Sequence, residues 1–70
     1  MIRRIAMDNY TITSKKTHRF RGDGYTYIVT IIVDKVENIP EPKDDWEAGS
    51  MCIIANSHDY RWLNRERKWV

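Results

Sequence analysis

The chain has 70 residues, a formal net charge of +2 and one cysteine, which leaves room for one domain and excludes an internal disulfide. Area scaling buries roughly 60% of the unfolded surface at this length, so the core is marginal and calls for very good packing, a metal or a partner subunit. Gly24–Val33, an uncharged run of ten residues, is about half a membrane span. Met1-Ile2-Arg3-Arg4-Ile5 lacks the apolar stretch and cleavage site of a signal peptide, so the expectation is a small, soluble, intracellular domain.

Strand signals dominate. Asp8 to Ser14 alternates, with Tyr10 and Ile12 on one face and Thr11 and Thr13 on the other. Lys15-Lys16 reads as a bulge or bend, and Thr17–Phe20 as a further strand segment. Arg21-Gly22-Asp23-Gly24 is a turn signal, because glycine tolerates the positive φ that tight hairpins require. Tyr25 to Val36 follows, rich in β-branched and aromatic residues and free of Gly and Pro. Its face of Tyr25, Tyr27, Val29, Ile31 and Val33 is uniformly large and apolar and should meet the core. The other face (Thr26, Ile28, Thr30, Ile32, Asp34) is mixed, as expected of one partly covered by a neighbouring subunit.

Glu37 to Asp45 carries Pro40 and Pro42. Neither proline can donate to a ladder, so this is an acidic connection and not a central strand. Asp45–Ser50 has room for one helical turn at most. The last twenty residues read as a meander: Met51–Asn56, a turn at Asn56–Asp59, Tyr60–Leu63, a turn at Asn64–Lys68, and Trp69-Val70 as the start of another strand. A helix over Tyr60–Trp69 competes, but Asn64 and the β-rich start favour strand and turn. The fold class is therefore mainly β, a small antiparallel sheet or meander with a proline-containing acidic connection between two halves.

Charge is segregated. Residues 1–21, 22–50 and 51–70 carry nets of +5, −5 and +2. Such blocks pair within a chain or head-to-tail between copies, although exposed pairs are individually worth little.

Little in the sequence carries catalytic chemistry. His18, Cys52, His58 and Asp59 show no metal-ligand spacing. Ser57-His58-Asp59 is consecutive, so its side chains cannot converge as a triad. Cys52 sits among Met51, Ile53 and Ile54, where a free cysteine behaves as a small hydrophobe. No phosphate-loop motif is present, and Arg21-Gly22-Asp23 reads as turn chemistry. Neither enzymatic activity nor a cofactor is expected. Basic residues do interleave with aromatics at Arg19-Phe20-Arg21 and at Tyr60-Arg61-Trp62, Arg65 and Arg67-Lys68-Trp69. Small β domains hold single-stranded nucleic acid in this way. The low net charge and acidic centre oppose that, since phosphate neutralisation supplies most non-specific affinity. The favoured reading makes the aromatics core or interface residues flanked by solvated arginines.

From Pro40 onward the order is an acidic stretch, Trp46-Glu47-Ala48-Gly49-Ser50, an apolar strand, a polar turn, Tyr60-Arg61-Trp62-Leu63-Asn64 and Trp69-Val70. This pattern resembles small proteins encoded among the structural genes of tailed bacteriophages and prophages. Their chains often end in Gly-Ser, a strand, a turn and Tyr-x-x-Leu-Asn-x-x-x-x-Trp. Trp62 stands where a smaller residue is common in them, and the last turn here is rich in arginine. The resemblance implies a non-enzymatic structural or accessory protein in the host bacterial cytoplasm or the virion, acting as a homo-oligomer or docked to other phage proteins. Trp46, Trp62, Trp69, Tyr60, Tyr25 and Tyr27 are the expected core and interface anchors. The alternative is a small phage-encoded binding protein: an inhibitor of a host protein or defence system, or a nucleic-acid binder using Arg19, Phe20, Arg21, Arg61, Arg65, Arg67 and Lys68.

Overall fold

A computed structural model describes residues 9–70. The expectations for Met1–Ile5, and the charges of Arg3, Arg4 and Asp8, lie outside the described residues. Four strands form one mixed sheet in the order β1-β2-β3-β4: β1 Tyr10–Phe20, β2 Tyr25–Val33, β3 Met51–Ile54 and β4 Asp59–Trp62. The fold is mainly β, as the alternation and β-branched composition predict.

β1 and β2 pair antiparallel along their whole length. The turn between them closes with Arg21 N–H donating to Gly24 O at 2.7 Å, and Gly22 takes the positive φ, 91°. The expected bend at Lys15-Lys16 is not there. Register slips instead at Thr13 and at His18, which fuses the two expected segments into one strand. Lys15 is thereby turned to the face of Val29 and Tyr27, where its Nζ lies 4.3 Å from the Tyr27 ring centre. Lys16 is turned to the opposite face, beside Ile28. β2 stops at Val33, short of the expected Val36, because Val36–Asn38 forms a turn of 3-10 helix.

The larger departure from an antiparallel meander is the β2–β3 pair, which is parallel. A parallel pair needs a connection of about a dozen residues or more to carry the chain back along the sheet. Residues 34–50 do this without an α-helix. They lie on the face of Val29, Ile31 and Val33, where Trp46 is buried in the core with Cys52, Ile54 and Leu63. Ile39, Tyr10, Tyr27 and Trp69 pack around that cluster. Trp46 meets Tyr10 and Trp69 edge-on, with ring centres 5.9 and 6.3 Å apart, a geometry the aromatic quadrupole favours.

The connection also extends the sheet. Tyr27 N–H donates to Asp45 O, and Glu47 N–H to Tyr27 O, each at 2.8 Å, so a short parallel rung precedes β3. Between that rung and β3 the chain bulges, with Gly49 at φ 102°, and the Val29 N–H loses its backbone acceptor. The Ser50 hydroxyl fills the gap: it accepts from Val29 N–H at 3.0 Å and donates to Glu47 O at 2.8 Å. Ser50 is fully buried, so water cannot take that role.

β3 and β4 pair antiparallel through a loop at residues 55–58, in which His58 has φ 57°. The chain then reverses again. The Asn64 side chain accepts from the N–H groups of Glu66 and Lys68, Leu63 bridges Trp69, and Trp62 and Val70 exchange both backbone hydrogen bonds. Strand and turn, not helix, thus occupy 60–70.

Candidate functional site

The two faces of the sheet differ sharply. Val29, Ile31, Cys52 and Ile54 are at most 1% exposed beneath the connection. One residue further along each strand the chain shows its other face, and there Ile28, Ile32, Met51 and Ile53 are only half-buried. Tyr60 and Trp62 on that face are 56% and 46% exposed.

Cross-strand pairing orders this second face into rows. Thr30, Met51 and Trp62 form one, and Ile32, Ile53 and Tyr60 the next. Val70, paired to Trp62, extends the first row. The Tyr60 and Trp62 rings stand edge to face with centres 5.9 Å apart. On the far flank the rows end in polar side chains of β1: Ser14 beside Thr30, Thr11 beside Ile32, and Lys16 beside Ile28. At about half of the ~200 Å² a large aromatic offers, Tyr60 and Trp62 give roughly 100 Å² each, and the aliphatic side chains bring the apolar patch to about 400–500 Å². Contiguous patches of that size mark interaction surfaces more often than scattered apolar residues do.

The expected anchors divide between the two layers. Trp46 is core at 2% exposure, with Tyr27 and Trp69 packed against it, and Trp69 Nε1 donates to Pro40 O at 2.9 Å. Tyr60 and Trp62 belong to the open face. Tyr25, expected to face the core, does not reach it. It sits at the hairpin end beyond the connection, 53% exposed, against Phe20 with ring centres 5.2 Å apart.

The basic residues do not converge. Arg19, Phe20 and Arg21 end β1 and start its turn, whereas Arg61 lies on β4 with two strands between, about 14 Å away across the sheet at the usual strand spacing. Arg19 is opposite Thr26, while Arg61 is opposite Cys52 on the core side. Arg61 also donates to Tyr60 O. Arg21, Arg65 and Arg67 do border one shallow open basin of about 740 Å³, but Asp23, Asp44, Asp45 and Glu47 share its rim. Arg67 is already committed. At φ 68°, it aims its guanidinium at the backbone oxygens of Trp46 and Lys43 and donates to both. Lys68 is exposed, and its N–H is held by Asn64.

Arg19 pairs with Glu47 at 3.1 Å. The Thr26 hydroxyl first, and then the Arg19 guanidinium, hold the Glu47 carboxyl below its usual range. That hydroxyl has one proton to share between Glu47 and Arg19 O, 3.3 Å away. Burial pushes the Cys52 thiol up, which keeps it protonated and unreactive. Among the described residues no three His, Cys, Asp or Glu side chains gather where they could hold a metal, and no helix is long and apolar enough to cross a membrane.

The sequence did not point to Ser50 or Arg67 as backbone partners. A glycine followed by serine just before a strand was the available signal for Ser50. Nothing in the sequence distinguishes Arg67 from its exposed neighbours. No protein-family model, curated protein or solved structure matches the chain.

Proposed function

We propose that this chain is a non-enzymatic structural or accessory protein of a tailed bacteriophage or prophage, working by docking its second sheet face onto protein. The observation that carries the docking role is the ordered apolar face of Ile28, Ile32, Met51, Ile53, Tyr60 and Trp62, set on a rigid sheet and half open to solvent. Rigid aromatics of this kind dominate interface energetics, because they bury much area at little entropic cost. The phage assignment is supported by the resemblance over Gly49-Ser50, the following strand and turn, and the tyrosine-to-tryptophan ending. The physical sense of that pattern is that Gly49-Ser50 carries the chain around the bulge and Trp69 closes the sheet against Leu63.

The test is incorporation. Wild-type protein and the Trp62→Glu variant are expressed during particle assembly by the source phage or prophage, and purified particles and assembly intermediates are assayed by mass spectrometry. The wild type should be present, and a folded Trp62→Glu variant should be depleted at least tenfold. Wild-type protein missing from every assembly fraction would sink the phage role. Equal incorporation of the variant would sink the face.

A further inference from the structure

Away from the docking face, we infer that the free end of the β1–β2 hairpin is a binding site for single-stranded nucleic acid. Lys15, Lys16 and Arg21 hold phosphates there, and a base stacks on the Phe20–Tyr25 pair.

The hairpin overhangs the rest of the sheet. β3 pairs with β2 only from Thr30 onward, and the rung at Trp46 stops at Tyr27. Beyond Tyr27, among the described residues, the main chain bonds only across the hairpin. Its end is therefore open along β1 and on the face of Tyr25.

The two edges of the hairpin differ in charge. β1 has no acidic side chain and exposes Lys15 and Lys16, which point to opposite faces and straddle its outer edge. Arg21 follows in the turn, roughly 20 Å along from Lys15. Asp44, Asp45 and Glu47 lie on the far side of β2, two strand spacings or about 10 Å from β1, and Arg19 already pairs with Glu47. Asp23 is the one acid within the hairpin. A polyanion is thus drawn along β1 and kept from the opposite edge.

Aromatic rings stand on the face that such a ligand crosses. Phe20 and Tyr25 are 59% and 53% exposed, with ring centres 5.2 Å apart. They share a face with Lys15, whose Nζ sits 4.3 Å from the Tyr27 ring centre. Tyr27 is two residues from Tyr25, about 7 Å along the strand. A cation and a stacking platform therefore lie side by side, the combination by which small β domains hold single strands.

These features select the ligand. The register slips at Thr13 and His18 interrupt the outer edge, which disfavours an acidic peptide adding as a further strand, and such a peptide leaves the rings idle. A duplex meets the lysines, but its bases are already stacked. An unpaired strand uses cations and rings together. The site does not need Arg61, which lies on β4 with two strands between.

The test is fluorescence anisotropy of a labelled oligothymidylate with the full chain. Affinity should fall with salt at a log–log slope of about −2, as for three phosphate contacts on a single strand. Phe20→Ala, and independently Tyr25→Ala, should weaken binding about tenfold at fixed salt with circular dichroism unchanged. Lys15→Gln, and independently Arg21→Gln, should make the slope shallower by about 0.7. Arg61→Gln and Trp62→Glu should bind like wild type, so that this site and the docking face succeed or fail separately.

No binding at low salt overturns the proposal. Wild-type affinity in both Phe20→Ala and Tyr25→Ala, with polyglutamate displacing the probe as readily as unlabelled oligothymidylate, overturns it and makes the hairpin a contact for an acidic protein. An unchanged slope in both Lys15→Gln and Arg21→Gln overturns the phosphate contacts. A loss of binding in Trp62→Glu as large as in Phe20→Ala overturns the hairpin site and moves the platform to the open face.

Discussion

Ser50→Ala deletes one oxygen from the sheet and nothing else. That oxygen accepts the Val29 N–H at 3.0 Å and donates to Glu47 O at 2.8 Å. Glu47 O keeps a second donor, the Ser50 N–H at 3.2 Å, so its loss is partial. The Val29 N–H has no other acceptor among the described residues, and Val29 and Ser50 are both 0% exposed. A buried donor stranded in this way costs about 1–3 kcal/mol. A chain of this length has roughly 3.5–10 kcal/mol of total stability, so a central value near 2 kcal/mol is a large share. It should lower Tm by about 8–16 °C. The assay is urea unfolding followed by tryptophan fluorescence at one fixed protein concentration, since any partner that binds the folded state adds stability by mass action. The midpoint should fall with the slope unchanged. Ser57→Ala, in the exposed β3–β4 loop, is the control and should stay within about 0.5 kcal/mol of wild type. A Ser50→Ala protein as stable as the control would refute the idea that this hydroxyl completes the ladder.

Arg67 offers a test of the latch between the last turn and the connection. Arg67→Lys keeps the charge but loses the forked donation to the Trp46 and Lys43 oxygens, and should cost about 1–2 kcal/mol in urea unfolding. Arg67→Gly should be milder than Arg67→Ala by about 1 kcal/mol, because glycine takes φ 68° without strain. Glu47 sets an acid dependence. Its carboxyl lies below its ordinary range, through Thr26 and then Arg19, so its contribution is complete above the unfolded glutamate value and is lost as pH falls through the lowered folded one. Unfolding curves of Glu47→Gln against pH should lack that part of the acid slope. Cys52, fully buried and with its thiol pushed up, should react with a thiol reagent only as fast as the chain opens, and at full rate in denaturant.

The strands were legible wherever one side chain decided the matter. Val29, Ile31 and Val33 alternate with half-buried neighbours, and only one face of such a strand can be core. Gly22 marked the first turn because glycine tolerates positive φ, and Asn64 marked the last one as a residue that favours turn over helix. What stayed hidden depended on contacts far apart in sequence. A slip at Thr13 rather than at Lys15 is set by pairing with β2 and leaves no local mark. The parallel direction of β3 follows from where the 34–50 connection lands, and its irregular course has no periodicity to read. Tyr25 sat in register with a core face but beyond the reach of the layer that covers it. The open face was the hardest to read, because Tyr60 and Trp62 look like core aromatics until the opposite face is seen to have taken Trp46.

The covering layer has a kinetic consequence. A crossover between parallel strands is usually a helix, which can form by itself from contacts four residues apart. Here the cover is irregular chain, and the groups that fix it come from far along the sequence: Trp69 holds Pro40, and Arg67 holds Trp46 and Lys43. The β1–β2 hairpin, closed by its own tight turn, is available early at small entropic cost, whereas the latch has to wait for long loops to close. Refolding should therefore pass its barrier with the hairpin formed and the cover still open. Arg67 and Trp69 variants should then speed unfolding far more than they slow folding.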